Sequence, residues 1–237
     1  MKKILKKPRH WQLNPVDMVT KTRQLYGANP DWGMPNDVAI PRPPEGLILS
    51  ESQILLPVGC LPDTEDACGF NRTIETYIDL VANMPVFKDS VLVWEELRKN
   101  LRDIKLAPYG TSFIPGTVDW YVLDMDQYAD KAPIEIFTDF ALGNINGNLA
   151  HIHVLMALWF YPWLAKKWHQ PGPFGKSPFL SGLVLKCNPY KNDEKKTKTN
   201  YSVFVDFHEG VLEIGLTRST HKPSSTGGSP TAIKINA

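Results

Sequence analysis

The sequence predicts an α+β protein in which an antiparallel sheet, with a C-terminal three-stranded meander, packs against several helices, one of them fully buried and apolar. Three observations carry this. The C-terminal third holds three β-rich runs, FLSGLVLKCN, YSVFVDF and VLEIGLTR, the last two separated by His208-Glu209-Gly210, a loop of hairpin length. Segments in the first half repeat apolar residues at i, i+3, i+4 and i+7, the spacing of one helical face. Between these regions lies GNLAHIHVLMALWFYPWLAKKWHQPG, which is uncharged from Val154 to Ala165.

Composition supports a packed core, since 43% of the 237 residues are hydrophobic and 11% aromatic. Lys and Arg number 26 against 25 Asp and Glu, a formal net charge of +1. That balance supplies no field to draw the chain to nucleic acid or to an anionic membrane, and neither partner is expected.

Residues 1–13 form a basic N-terminal arm with Lys2, Lys3, Lys6, Lys7 and Arg9. It has the basic start of a secretory signal without the apolar stretch, so retention in the cytoplasm is expected. Cys60, Cys68 and Cys187 are an odd number of cysteines, too few for a disulfide scaffold. Residues 14–218 are read as a single α+β domain. Asn14 is a natural N-cap, with Pro15 at the first helical position and Asp17 in the first turn. Met18, Val19, Thr22, Leu25 and Tyr26 then share a face, and Gly27 ends the helix.

Residues 28–46 contain five prolines and read as an extended loop. Gly46 to Gly59 offers two short strands split by Ser50-Glu51-Ser52. Ile74, Tyr77, Ile78 and Val81 mark one helix; Trp94, Leu97, Leu101 and Ile104 mark a second, with Ser90 as its cap. The Pro- and Gly-containing LAPYGTSFIPG places a possible lobe boundary near 107–117. TVDWYVLDMD is apolar on both faces, as a central strand would be. KAPIEIFTDFALGNING suits either a strand or a helix beginning at Pro133, with the balance toward helix. PYKNDEKKTKTN reads as a mobile loop, and residues 219–237, rich in Ser, Thr, Gly and Pro, as a flexible C-terminal tail.

The histidines of the apolar stretch raise the question of a metal site. His151 and His153 on a strand would share a side, but helical residues two apart point about 200° from one another. The Leu, Met and Ala that follow favour a helix from about Leu149. A third ligand would have to come from His169, His208, His221, Asp139 or Asp206, none at a diagnostic spacing. The apolar run is 12 residues, short of the roughly 20 that cross a bilayer, and Pro162 interrupts it. It reads instead as a core helix.

Other chemistries are weakly signalled. No nucleophile elbow, P-loop, dinucleotide fingerprint, H-E-x-x-H or paired C-x-x-C occurs. The acidic residues between Cys60 and Cys68 would raise thiol pKa values, which argues against a reactive thiolate. Asp119, Asp124, Asp126 and Asp130 could chelate Mg²⁺ or act as turn residues. GNINGN offers amides for an anion, although N-capping by Asn146 or Asn148 is the simpler reading.

Two functional expectations follow. The leading one is a non-catalytic binding or protein-interaction module, acting on a protein partner or by self-association, from abundant Trp, Tyr and proline-rich surface segments. The alternative is a metal-assisted hydrolase in which His151, His153, Asp124 and Asp126 converge. The sequence names no cofactor.

Overall fold

The computed structural model describes residues 12–62, 69–126, 128, 131–145, 147–187, 199–222 and 227–235, except 101–103 and 107–113. Most of the basic arm, residues 189–198 of the PYKNDEKKTKTN stretch, Cys68, Asp130, Asn146 and most of the expected lobe boundary lie outside these residues, as does the Cys187 side chain.

Helix α1 (Pro15–Gly27) starts as its sequence dictates: the Asn14 side chain accepts from Val16 N at 2.9 Å and proline occupies the first turn. Strand β1 (Gln53–Gly59) follows the proline-rich segment; the earlier strand expected from Gly46 does not form. Helix α2 (Gly69–Ala82) buries Ile74, Tyr77, Ile78 and Val81, the predicted stripe. Its Tyr77 hydroxyl donates to Gly59 O at 2.6 Å and lies 2.8 Å from the Tyr26 hydroxyl, tying α1 and α2 to β1.

The second expected helix is divided. Val91–Val93 form β2, Glu95–Asn100 a short α3, and Ile104–Leu106 form β3. The three apolar residues from Val91 pair in parallel with a C-terminal strand, so sheet pairing overrides the helical spacing, and Ser90 is not a cap. Strand β4 (Val118–Asp124) is buried along nearly its whole length, as its apolar faces predict. Helix α4 (Pro133–Ala141) takes the proline-first reading. After β5 (Asn148–Leu149) comes α5 (Ile152–Phe160), then a 3₁₀ segment over Pro162–Lys167. Strands β6 (Ser177–Cys187), β7 (Thr199–His208) and β8 (Val211–Arg218) complete the three runs. Between β7 and β8, Glu209 (φ 50°) and Gly210 (φ 84°) form a two-residue turn of the kind that matches strand twist.

Part of the expected flexible tail forms strands. Gly227–Gly228 (β9) pair with β6, and Thr231–Ile235 (β10) lie between β4 and β5, antiparallel to both. Thr-Ala-Ile-Lys-Ile alternates well enough for a strand, but Ser/Thr/Gly/Pro composition over the longer window hid it. The first sheet therefore runs β1-β4-β10-β5, all antiparallel, and the second β2-β8-β7-β6-β3. In the second sheet, β7 pairs antiparallel with both β6 and β8.

Helix α5 sits where these layers meet. It packs on β1 and β4 of the first sheet, on β6 of the second, and on α2. Eight of its nine residues are buried. Among the described residues no helix is long and apolar enough to cross a membrane.

Candidate functional site

The predicted histidine pair occupies the junction of the two sheets. His151 is the residue preceding α5, with a non-helical backbone (φ −146°, ψ −97°), and Asn148 does not cap the helix: it pairs with Ala232 in the first sheet. His153 stands on the first turn. Both side chains are fully buried. Their ring centroids are 5.0 Å apart, and the irregular backbone at His151 is what brings them together despite the helical spacing.

Each ring meets a different sheet. His153 packs edge-to-face on Tyr121 of β4 at 4.5 Å. His151 lies over Gly182 of β6, where a Cβ would come within 2.7 Å of its ring and 2.8 Å of Leu149 O. Burial lowers the His151 pKa to about 3. Burial first, and the neighbouring His151 second, hold His153 well below the usual imidazole range. Both rings are therefore neutral near pH 7; His153 Nδ1 accepts from the His151 backbone N–H at 3.4 Å, and both rings pack between the layers.

The predicted aspartates lie elsewhere. Asp124 ends β4 three residues beyond Tyr121, so strand alternation sends the two side chains to opposite faces. Its carboxylate accepts from the Ser52 hydroxyl at 2.7 Å and from Gln53 Nε2 at 3.0 Å, and so fastens the end of β4 to the start of β1. Asp126 forms an ion pair with Lys176 at 3.0 Å. The four residues of the expected metal site are thus not gathered at one point. Among the described residues no group of three or more His, Cys, Asp or Glu is placed to hold a metal ion. Asp119 pairs with Lys234 and Asp139 with Lys131, while Cys60 is buried.

Two residues considered only as third ligands do meet. His169 Nε2 lies 2.6 Å from Asp206 Oδ1, and the Ser177 hydroxyl donates to the same oxygen at 2.6 Å while lying 3.2 Å from Nε2. The Phe207 N–H donates to it as well, at 2.7 Å. Burial pushes the Asp206 carboxyl up, but Ser177, His169 and the backbone N–H together hold it below its ordinary range. The residue types are those of a serine hydrolase, yet the wiring is not. A nucleophilic serine gives its proton to an imidazole lone pair, with the carboxylate on the far nitrogen. Here one imidazole nitrogen faces both partners and the carboxylate oxygen is the hub. The cluster fastens the turn after the 3₁₀ segment to β6 and β7.

Two concave surfaces stand out among the described residues. Around that turn a hollow of about 370 Å³ is lined by Trp163, Lys167 and Pro171 to Gly175. The second is a groove of about 420 Å³ lined by Trp32 and Trp159, both partly buried, with Leu80, Met84 and Pro85 supplying further apolar surface. Its polar lining is Asn29, Thr76, Asp79 and Asn83. Trp32 is fixed by edge-to-face contacts with Tyr26 and Tyr77 at 6.3 and 6.1 Å, and Trp159 packs on Phe160 at 4.7 Å. The indoles are consequently preorganised on a rigid frame, the condition for low-cost binding. The available signal was an asparagine just past each of two helix ends together with tryptophans at element termini, a pattern of placement that no motif encodes.

Comparison with known protein families, curated proteins and solved structures finds no match.

Proposed function

We propose that the chain is a non-catalytic binding protein that engages a protein partner through the Trp32–Trp159 groove. The observation that supports this reading is the presence of two partly buried, laterally braced indoles in the lining of an open groove of about 420 Å³. Tryptophan carries binding energy well out of proportion to its frequency, because a large rigid ring is desolvated at little entropic cost. Among the described residues, the candidates weighed for catalysis take part in structural contacts: the histidine pair between sheets, Asp124 at a strand junction, and Asp206 as the hub of a turn.

The test is a panel of short neutral, anionic and cationic peptides titrated into ¹⁵N-labelled protein while the indole N–H resonances of Trp32 and Trp159 are followed. At least one class should move both resonances saturably, and Trp159→Ala should abolish the response while the remaining spectrum stays folded. If no class moves either resonance at millimolar concentration, the groove is not a binding surface and the proposal fails.

A further inference from the structure

We infer that the groove selects a cation, and that its occupant is an arginine side chain presented by a partner polypeptide. This inference rests on the groove being the binding surface. Three helices end at it. Asn29 and Trp32 follow the end of α1 at Gly27, Asp79 and Asn83 bracket the end of α2 at Ala82, and Trp159 precedes the end of α5 at Phe160. The C-terminus of each helix carries the negative end of its dipole, which favours a positive charge nearby. None of the three has a basic residue in its last turn.

The polar lining has the same bias. Asn29 Nδ2 donates to Leu25 O at 2.7 Å and Asn83 Nδ2 to Asp79 O at 2.8 Å. Both amides turn their nitrogens back onto helix carbonyls, which directs their oxygens, as acceptors, the other way. Asp79 adds a carboxylate. Two indoles in the lining complete the set, and an indole attracts a cation through the quadrupole of its face. Acceptors, dipole ends and π faces together call for a ligand that is positive and rich in N–H groups.

Guanidinium meets this description better than ammonium, because its plane stacks on an indole while its fork donates to several acceptors at once. The protein already contains a precedent: Arg98 Nη1 donates to Asp79 Oδ1 at 3.0 Å. Both side chains of that pair are nearly half exposed, so an incoming guanidinium displaces Arg98 at little cost. The source is a polypeptide because an open groove does not enclose a free small molecule, and Val86, next to Pro85 of the lining, extends exposed apolar surface beyond it.

The test titrates acetyl-Gly-Pro-Arg-Pro-Gly-amide, its citrulline and lysine counterparts, and free arginine into the full chain by calorimetry, with the two indole resonances as site markers. The arginine peptide should bind at least tenfold more tightly than the uncharged, nearly isosteric citrulline peptide, and Asp79→Asn should weaken it severalfold. Arg98→Gln should tighten it severalfold by releasing Asp79, a gain that misfolding cannot imitate. Equal binding of arginine and citrulline peptides would overturn cation selection while leaving the groove a binding site. Tighter binding of the lysine peptide would overturn the guanidinium assignment, and free arginine binding as tightly as the peptide would overturn the polypeptide source. If none of these ligands binds while neutral or anionic peptides move the indole resonances, this inference alone fails; silence from every class removes the binding reading too.

Discussion

The protein contains two histidine pairs of nearly the same geometry and opposite chemistry. His151 and His153 have ring centroids 5.0 Å apart at an interplanar angle of 63°; His169 and His208 are 6.1 Å apart at 73°. The first pair is fully buried between two sheets. The second lies at the surface, with His169 against a carboxylate. Ring spacing and residue type therefore say little about what a histidine does. The surroundings decide whether a ring behaves as a neutral packing element or as a hydrogen-bonding partner of an ionised group.

The largest expected effect breaks the buried pair with acid. A histidine whose folded pKa is depressed binds its proton only in the unfolded chain, so stability falls as pH drops below the unfolded value near 6.5. For His151, held at about 3, the loss reaches roughly 2 kcal/mol by pH 5, and His153 adds to it in the same direction. Urea unfolding at pH 7.5 and 5.0 checks this. Equal stabilities at the two pH values would mean that these rings are not neutral core groups.

Next comes a steric test of the same junction. Gly182→Ala places a methyl 2.7 Å from the His151 ring and 2.8 Å from a backbone oxygen, and only the ring has freedom to move. A loss of about 1–3 kcal/mol is expected from overpacking. Gly27→Ala, whose Cβ would meet nothing within 4 Å, is the matched control. A neutral Gly182→Ala in urea unfolding would show that the two sheets are not held at this contact.

The open cluster should respond more weakly and at a different pH. Asp206 is held low, so its contribution is present above the ordinary carboxylate range and is lost as pH falls through its folded value. Its side chain is one-quarter exposed, and the hydrogen bonds it accepts are expected to be worth about 1 kcal/mol in sum after solvent screening. Asp206→Asn should thus lose about that much at pH 7, with the gap from the parent protein closing below about pH 4. A gap that stayed open well below pH 4 would show that something other than the Asp206 carboxylate carries the difference.

This contrast explains how far the sequence could be read. Periodicity found α1 and α2 because their apolar faces repeat over several turns, and it found β4, β7 and β8 because each buries one or both faces along most of its length. It failed at β2 and β10. Val91–Val93 is three residues long, and Thr231–Ile235 sits in a window dominated by turn formers. Such strands are specified by their partners across the sheet, and nothing local announces those partners. The site was less legible for the same reason. His151 and His153 stand out as neighbours in sequence, whereas Ser177, His169 and Asp206 span 37 residues, and the groove's tryptophans are 127 residues apart. Local spacing draws attention to residues the chain brings together cheaply. Sites assembled by the fold are invisible to it.

The smallest effect separates the two contributions that His169 makes to the open pair. Its backbone is in the left-handed region, φ 64°, which costs a side-chain-bearing residue more than it costs glycine. His169→Ala deletes the imidazole and keeps that cost; His169→Gly deletes the imidazole and removes it. The glycine variant should therefore be more stable than the alanine variant by about 0.5–1 kcal/mol in urea unfolding at pH 7. The comparison of either with the parent then isolates the ring, whose one nitrogen serves Asp206 and Ser177 together. If alanine and glycine variants unfold at the same urea concentration, the turn has relaxed out of the left-handed region once the ring is gone. In that case the imidazole's grip on Asp206 is what imposes the backbone conformation, a dependence that His151 and His153, fully buried between the two sheets, should not share.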